Sequence, residues 1–370
     1  MLTLNDYIRA LRSPICERIF KMEFLDENMN VTGENTANVL NGSLNIELNS
    51  NARRTCSLTF DNTRGIYIPN EDSDLWINKK FRLYTGLKIN GEEWLNLRGT
   101  FVVGNPSLSS AFSSKTVSLT GHDKWDLLNG TLGGTLEDTF IIPSGSSIAD
   151  AVDLVLSTAG DTMSPIVGYT DVTTPSTISR LPGNTYAEML VELAGFMSWE
   201  VFYDTEGRLR FQPPLDFATE SSVWDFSTGE TTYKGATHLY EFDEIYNVVI
   251  VIGDNINSMT IKGIAEDTNI FSPFNIYKIP RKPFIITDNI IHTELFATQR
   301  AEYELKKKIA LQESITVKAF PVDLINEGEI VTVEDLSCDL NRDRCQVQSI
   351  SYPLRNEGEM TLTLWKERTF

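Results

Sequence analysis

Apolar and polar residues change their period along this chain, and the changes divide it. From Ile15 to His122 short runs alternate with period two, predicting strands over 19–25, 44–48, 55–60, 81–89, 94–103 and 116–120. Polar turns separate them, and Asn90-Gly91 is the strongest hairpin signal because both central positions of a type I′ turn need positive φ. A short amphipathic helix over 5–12, with Tyr7, Ile8 and Leu11 on its apolar side, precedes this region and stops at Pro14. Regular short strands with turn chemistry between them predict a barrel or sandwich.

The period then becomes helical. Ile148, Ala151, Val152, Val155 and Leu156 fall on one helix face behind Ser147 and Asp150, spaced as a capping box. Tyr186, Met189, Leu190, Leu193 and Ala194 repeat the pattern behind Thr185 and Glu188, and Gly195 is the expected stop. A hairpin follows, 199–203 and 208–211 about the turn Asp204-Thr205-Glu206-Gly207, closed by Pro213-Pro214. The glycines and serines of 130–134 and 144–147 mark the boundary in front of this small α+β region.

The third region opens with Tyr246 to Gly253, a nearly continuous apolar strand expected to be buried on both faces or against another chain. It continues through 258–264 and a proline-rich extended stretch over 271–286. A helix is predicted from Glu294 to Ile309, in which Ala297, Ala301, Leu305 and Ile309 recur every four residues as a stripe of mostly small side chains. Such a stripe lets a helix approach a sheet closely. Leu295 and Phe296 stand at its entrance, and Arg300, Glu302, Glu304, Lys306 and Lys307 form a solvated face. Ala297, Ala301, Leu305 and Phe296 are accordingly the candidates for packing or subunit contact. Strands follow over 314–320, 329–333, 344–352 and 359–366, with glycine turns at Asn326-Glu327-Gly328 and Asn356-Glu357-Gly358. A helix flanking a closed or nearly closed antiparallel sheet is expected twice.

The fold class is therefore mainly β with α+β, in three domains: 1–125, a first β-barrel; 126–240, two helices and a hairpin; 241–370, a second barrel with its flanking helix. A chain of 370 residues, 41% hydrophobic and 10% aromatic, can bury more than one core. Its 32 basic and 51 acidic residues leave a formal charge of -19, which argues against tight nucleic-acid binding because phosphate neutralisation needs basic patches. Neither a signal peptide nor an apolar run near the roughly 20 residues of a membrane helix is present, so no membrane insertion is expected. Cys16, Cys56, Cys338 and Cys345 form no CxxC pair and read as free thiols of a reducing compartment.

Reactive constellations are few. His122, His238 and His292 lie in no HExxH pattern, Ser146 is in no GxSxG elbow, and 130–134 lacks the Gly-Lys-Ser/Thr ending of a phosphate loop. Asp339, Asn341 and Asp343 match the first ligand positions of a calcium loop, but Arg344 replaces its glycine and Ile350 its closing carboxylate, so a turn is expected. Trp199, Phe202, Tyr203 and Phe211 read as core beneath the hairpin before they read as a sugar platform. No enzyme activity, cofactor or metal is expected.

Three stretches carry a resemblance. They are 185–194 leading into 199–209, a helix before a strand with an Asp-x-x-Gly turn; 297–305 followed by 326–333, a helix before a glycine-centred strand start; and 246–251. Together they resemble the baseplate hub proteins of phage tails and of phage-derived contractile injection systems. That resemblance implies two tail-tube-like barrels per chain and a homotrimer whose pseudo-sixfold ring joins the tail tube to a central spike. It implies as partners the tail tube protein, the central spike protein and other baseplate proteins. DNA or another payload would pass through without specific binding. The setting would be the virion tail baseplate, assembled in the bacterial host cytoplasm, with any wall-degrading activity on a partner. A distal-tail or carbohydrate-binding adaptor and a cell-wall glycoside hydrolase are the alternatives. For a hub, the acidic excess is expected on the channel wall, with Lys and Arg at subunit contacts.

Overall fold

The computed structural model describes all residues except 1, 14, 36–38, 113, 175–176, 216, 218, 241, 257–258, 289–290, 292, 309–310 and 369–370. Ile309 and His292 therefore lie outside the described residues. Among the described residues the fold is mainly β with four α-helices, and its strand pairs are mostly antiparallel. By contact the chain forms two compact units. The first holds 1–235, 318–331 and 347–362; the second holds 236–317, 332–346 and 363–370.

In the first unit an antiparallel sheet runs in the order Ser349–Pro353, Val39–Glu47, Arg54–Asp61, Lys115–Asp123, Glu92–Val103, Lys80–Ile89, Glu17–Leu25 and Val31–Asn35. Period-two alternation produces it directly. Phe20, Met22 and Phe24 of one strand, and Cys56, Leu58 and Phe60 of another, are buried while the residues between them are more exposed. Phe81 and Phe101, opposite each other across the Lys80–Ile89 and Glu92–Val103 pair, stack with ring centroids 5.4 Å apart. Asn90 and Gly91 have φ of 52° and 88°, as the hairpin signal requires. Closure into a barrel is not seen among the described residues.

Helix α1 (Leu4–Leu11) begins in a full capping box, with Asp6 N–H on the Thr3 hydroxyl and Thr3 N–H on the Asp6 carboxylate. Its buried Tyr7 and Leu11 turn toward the sheet strand Lys80–Ile89. Helices α2 (Ile148–Thr158) and α3 (Tyr186–Met197) share a core with the hairpin Glu200–Tyr203 and Leu209–Gln212. All five apolar α2 positions read from the sequence are buried. Ser147 caps α2 by accepting from Asp150 N–H, whereas Thr185 and Glu188 close the complete box on α3. Gly195 does not end α3. The helix continues to Met197, and Ser198 adopts the left-handed C-cap at φ 54°. Two strands that alternation does not predict, Ser222–Ser227 and Tyr233–Tyr240, follow the hairpin.

In the second unit Val248–Ile256 is the middle strand of three. It is antiparallel to Met259–Glu266 and parallel to Pro283–Thr287. Its two faces differ: Val249 and Val251 are fully buried, whereas Ile250 and Ile252 of the opposite face are only half-buried, so burial on both faces is met on one. The stretch 271–286 is extended only at its end, because Ser272 and Asn275 turn the backbone: Asn275 Nδ2 donates to Asn269 O at 2.9 Å, and Tyr277 N–H donates to Asn275 Oδ1 at 3.0 Å. Of the calcium-like stretch only Asp339, at φ 57°, is a turn, the left-handed cap of the 3-10 helix Leu336–Cys338; 340–343 already belong to strand Leu340–Pro353, where Arg342 takes φ 54°.

Candidate functional site

The sequence-selected residues sit on helix α4 (Glu294–Lys308), which lies on one face of the three-stranded sheet. Ala297 and Ala301 are completely buried and Leu305 nearly so, in one cluster with Val249, Val251, Ile261 and Ala265. The small stripe has a counterpart in the sheet. A Cβ placed on Gly263 would stand 2.2 Å from the Ala297 carbonyl carbon and 2.3 Å from Thr298 N, so helix and strand touch backbone to backbone there. Phe296 does not join this cluster. It is 61% exposed beside the 66% exposed Leu295, on a surface that also carries the Arg300–Glu304 pair at 3.0 Å. The structure thus brings Ala297, Ala301 and Leu305 together inside the unit and turns Phe296 outward.

Reactive residues are engaged in structural contacts. His122 Nδ1 faces Asp126 Oδ2 at 2.9 Å, and His238 donates from Nδ1 to Cys338 O at 2.8 Å with Nε2 on Glu313 Oε2 at 2.9 Å. Burial pushes the Cys56 thiol well above its ordinary range and the Cys345 thiol up to about 12, so neither holds a thiolate near neutral pH. Tyr203 and Phe211 are interior, Trp199 packs 5.6 Å from Phe211, and the Arg53 guanidinium covers the Phe202 ring at 3.4 Å. These aromatic faces are therefore occupied by the protein itself. Among the described residues no three His, Cys, Asp or Glu side chains converge as metal ligands, and no helix is long and apolar enough to cross a membrane.

The densest polar constellation is one the sequence pattern does not reveal. Asp323, fully buried in the first unit, accepts from Tyr7 Oη at 2.9 Å, from Thr85 Oγ1 at 2.5 Å and from the Tyr352 hydroxyl. Its carbonyl accepts from Asn96 Nδ2 at 2.5 Å and from Arg98 Nη1 at 2.6 Å, and Arg98 Nη2 reaches Ile325 O at 2.9 Å. Burial, with the nearby Asp323 carboxylate, holds both the Tyr7 and Tyr352 hydroxyls protonated by raising them above the ordinary tyrosine range. Such a closed network fixes the 318–331 segment against helix α1 and the sheet. It offers no open position for a substrate.

A second buried group joins the sheet to the α+β region. Lys124 Nζ donates to Asp161 Oδ2 at 2.8 Å and to Gly207 O at 2.8 Å, while Tyr203 Oη donates to Asp161 Oδ2 at 2.7 Å. Burial lowers the Lys124 ammonium from its ordinary value, opposed by Asp161. Nearby, Arg54 Nη2 donates to Glu327 Oε2 at 2.5 Å and Arg53 Nη2 to Glu200 Oε2 at 2.9 Å. The Asp-x-x-Gly turn read in the sequence is thereby anchored at both sides: Gly207 has φ 79°, and Thr100 Oγ1 donates to Thr205 O at 2.9 Å.

No protein-family model and no curated protein sequence matches the chain. Its fold does have solved counterparts. The 43 kDa tail protein of prophage MuSo2 from Shewanella oneidensis superposes with a TM-score of 0.67 at 15% identity, over 95% of this chain and 98% of that one. A tail protein from Neisseria meningitidis MC58 gives 0.67 at 13% identity, over 94% and 96%. The E. coli c3393 protein, a type VI secretion system component with structural similarity to the T4 tail proteins gp27 and gp5, gives 0.51 at 10% identity, over 90% and 74%. The chain has the fold of phage tail proteins, in agreement with the resemblance carried by its motifs.

Proposed function

We propose that this protein is a structural component of a phage or phage-derived tail, and within it the baseplate hub: a homotrimeric ring between tail tube and central spike through which genome or payload passes. One observation carries the proposal, the end-to-end match of fold with the MuSo2 tail protein over 95% of this chain and 98% of the other. The match runs along nearly the whole of both chains, so the likeness is not confined to one module. The c3393 protein, described as resembling gp27 and gp5, supports the hub among tail positions.

In this reading three copies of two similar β units would present six-fold neighbours to the tube and three-fold neighbours to the spike. The division into 1–125, 126–240 and 241–370, with a tube-like barrel at each end, belongs to the same proposal, as do the tube, spike and baseplate partners. The protein acts by assembly and not by catalysis, and works in the tail baseplate of a particle built in the bacterial host cytoplasm. The formal charge of -19 suits a channel wall that repels phosphate instead of holding it. Native mass spectrometry and imaging of the particle test the proposal. A trimer at the tube end is expected; a hexamer there would assign the chain to the distal-tail adaptor, and a monomer in an intact particle would end the proposal.

A further inference from the structure

Asn-Gly pairs occur in the chain at 41–42, 90–91 and 129–130. Such a pair is labile, because glycine has no side chain to keep its amide nitrogen away from the side-chain carbonyl carbon of the asparagine before it. When the nitrogen attacks that carbon, the side-chain amide leaves as ammonia and a cyclic succinimide remains, which water opens to aspartate or isoaspartate. The reaction needs a free attacking N–H, a free side-chain amide and a backbone able to rotate. The fold grants these unequally.

Asn41-Gly42 lies inside strand Val39–Glu47, with Asn41 opposite Thr59 and Gly42 opposite Leu58. A further bond holds its backbone, where Leu354 N–H donates to Gly42 O at 2.9 Å. A Cβ placed on Gly42 would stand 2.3 Å from Ser57 O, so the strand has no slack there in which to rotate. Asn129-Gly130 is tied at every reacting group. Asn129 Nδ2 donates to Asp126 Oδ1 at 2.8 Å, its Oδ1 accepts from Thr131 N–H at 2.9 Å, and Gly130 N–H donates to Gly133 O at 2.8 Å.

Asn90-Gly91 has none of this protection. Both residues are exposed at the tip of the hairpin formed by Lys80–Ile89 and Glu92–Val103, whose last pair is Ile89 opposite Glu92. Among the described residues neither the Asn90 side chain nor the Gly91 N–H has a hydrogen-bond partner, and a Cβ placed on Gly91 would meet nothing within 4 Å. The left-handed turn must swing to bring nitrogen to carbon. Only the end of the hairpin resists that motion, and exposed element ends open at little free-energy cost.

We propose that Asn90 is a self-modification site of the folded chain, and that Asn41 and Asn129 are kept intact by the fold. Hydroxide takes the proton of Gly91 N–H, the nitrogen bonds to Asn90 Cγ, and the Cγ–Nδ2 bond breaks as Nδ2 takes a proton from water and departs as ammonia. Water then opens the succinimide. The product carries one more negative charge beside Glu92 and Glu93. Opened to isoaspartate, it also carries an additional main-chain carbon, for which a two-residue type I′ turn has no place, so the hairpin tip is rebuilt.

Peptide mass mapping with fragment sequencing tests this on the full chain, folded at mildly alkaline pH and, in parallel, unfolded in guanidinium chloride at the same pH. In the folded protein Asn90 is expected to gain one mass unit at least tenfold faster than Asn41 or Asn129. In guanidinium all three should convert at rates within a few-fold of one another, because each is followed by glycine. No conversion of Asn90 in the folded protein, or conversion of Asn41 or Asn129 as fast as Asn90, would overturn the proposal. Selectivity that persists in guanidinium would place its cause in the flanking sequence and overturn it as well.

Discussion

Tyr7 and Asp323 are bonded to each other in both directions: the Tyr7 hydroxyl donates to Asp323 Oδ2 at 2.9 Å and accepts from Asp323 N–H at 2.8 Å. Both residues are fully buried and lie 316 positions apart, so one phenol ties the first helix to a segment near the end of the chain. Removing the hydroxyl in Tyr7→Phe leaves a buried N–H without a partner and a carboxylate with one donor fewer. The expected cost is about 1–3 kcal/mol, the usual penalty for a stranded buried polar group. Denaturant unfolding of the variant checks it, and an unchanged midpoint would show that water or Thr85 replaces the lost bond.

The contact of helix α4 with its sheet predicts two overpacking effects. Ala301→Leu must force extra volume into a site with no exposure, at a cost of roughly 1–3 kcal/mol. Gly263→Ala should cost at least as much, because the added Cβ meets backbone of Ala297 and Thr298 and not the yielding end of a side chain. Phe296→Ser, which changes an exposed position, should leave the melting temperature of the isolated chain unchanged while lowering assembly if that surface meets a neighbouring subunit. Thermal melts of the three variants, with assembly yield for the last, separate packing inside the unit from contact between chains.

How far the sequence reveals this fold depends on whether the deciding interaction is local. Capping at Thr185 and Glu188, the turn at Asn90-Gly91 and the buried stripe of Ala297 and Ala301 follow from residues a few positions apart, and each is visible as spacing. Asp323 is different. Its partners Tyr7, Thr85, Asn96 with Arg98, and Tyr352 come from four separate places in the chain, and nothing in their immediate surroundings marks them as a network. Thr3 and Asp6 have the spacing of a capping box with Asp in place of Glu, which is a local signal of the same kind. The shared fold with tail proteins rests on the order of elements, which short motifs indicate only loosely.

Ser198 shows the same limit at a helix end and gives a stabilising prediction. Gly195 looks like the terminator, yet Trp199 N–H reaches back to Ala194 O at 2.9 Å, which requires the left-handed turn three residues later, at Ser198. A left-handed conformation costs an L-residue roughly 1–2 kcal/mol, offset in part by the greater freedom glycine has in the unfolded chain. Ser198→Gly, at an exposed position, should therefore raise stability by about 0.5–1 kcal/mol. A lower melting temperature would mean that the serine side chain supplies more than the backbone strain costs.

The last prediction concerns pH. Asp123 ends a sheet strand and caps the following 3-10 helix, accepting Trp125 N–H on Oδ1 at 2.9 Å and Arg54 N–H on Oδ2 at 3.2 Å. Burial dominates and raises its carboxyl from 3.8 to about 7; Asp126 adds to the rise, while the two N–H bonds and the Arg54 charge oppose it. Since the folded value lies above the unfolded one, the proton is bound more tightly in the native state. The resulting stability is complete below about pH 4 and is lost as pH rises to 7. Asp123→Asn cannot titrate. It exchanges one backbone acceptor for an amide, a roughly constant offset, and leaves the rest of the pH profile in place. Stability of the wild type minus that of the variant should thus fall between pH 4 and 7 with a slope of at most about 1.4 kcal/mol per pH unit, then level off. Urea unfolding of both proteins across pH 4–8 measures this difference. A flat difference would place the Asp123 carboxyl in its ordinary range, with Arg54 and the two N–H donors outweighing its burial.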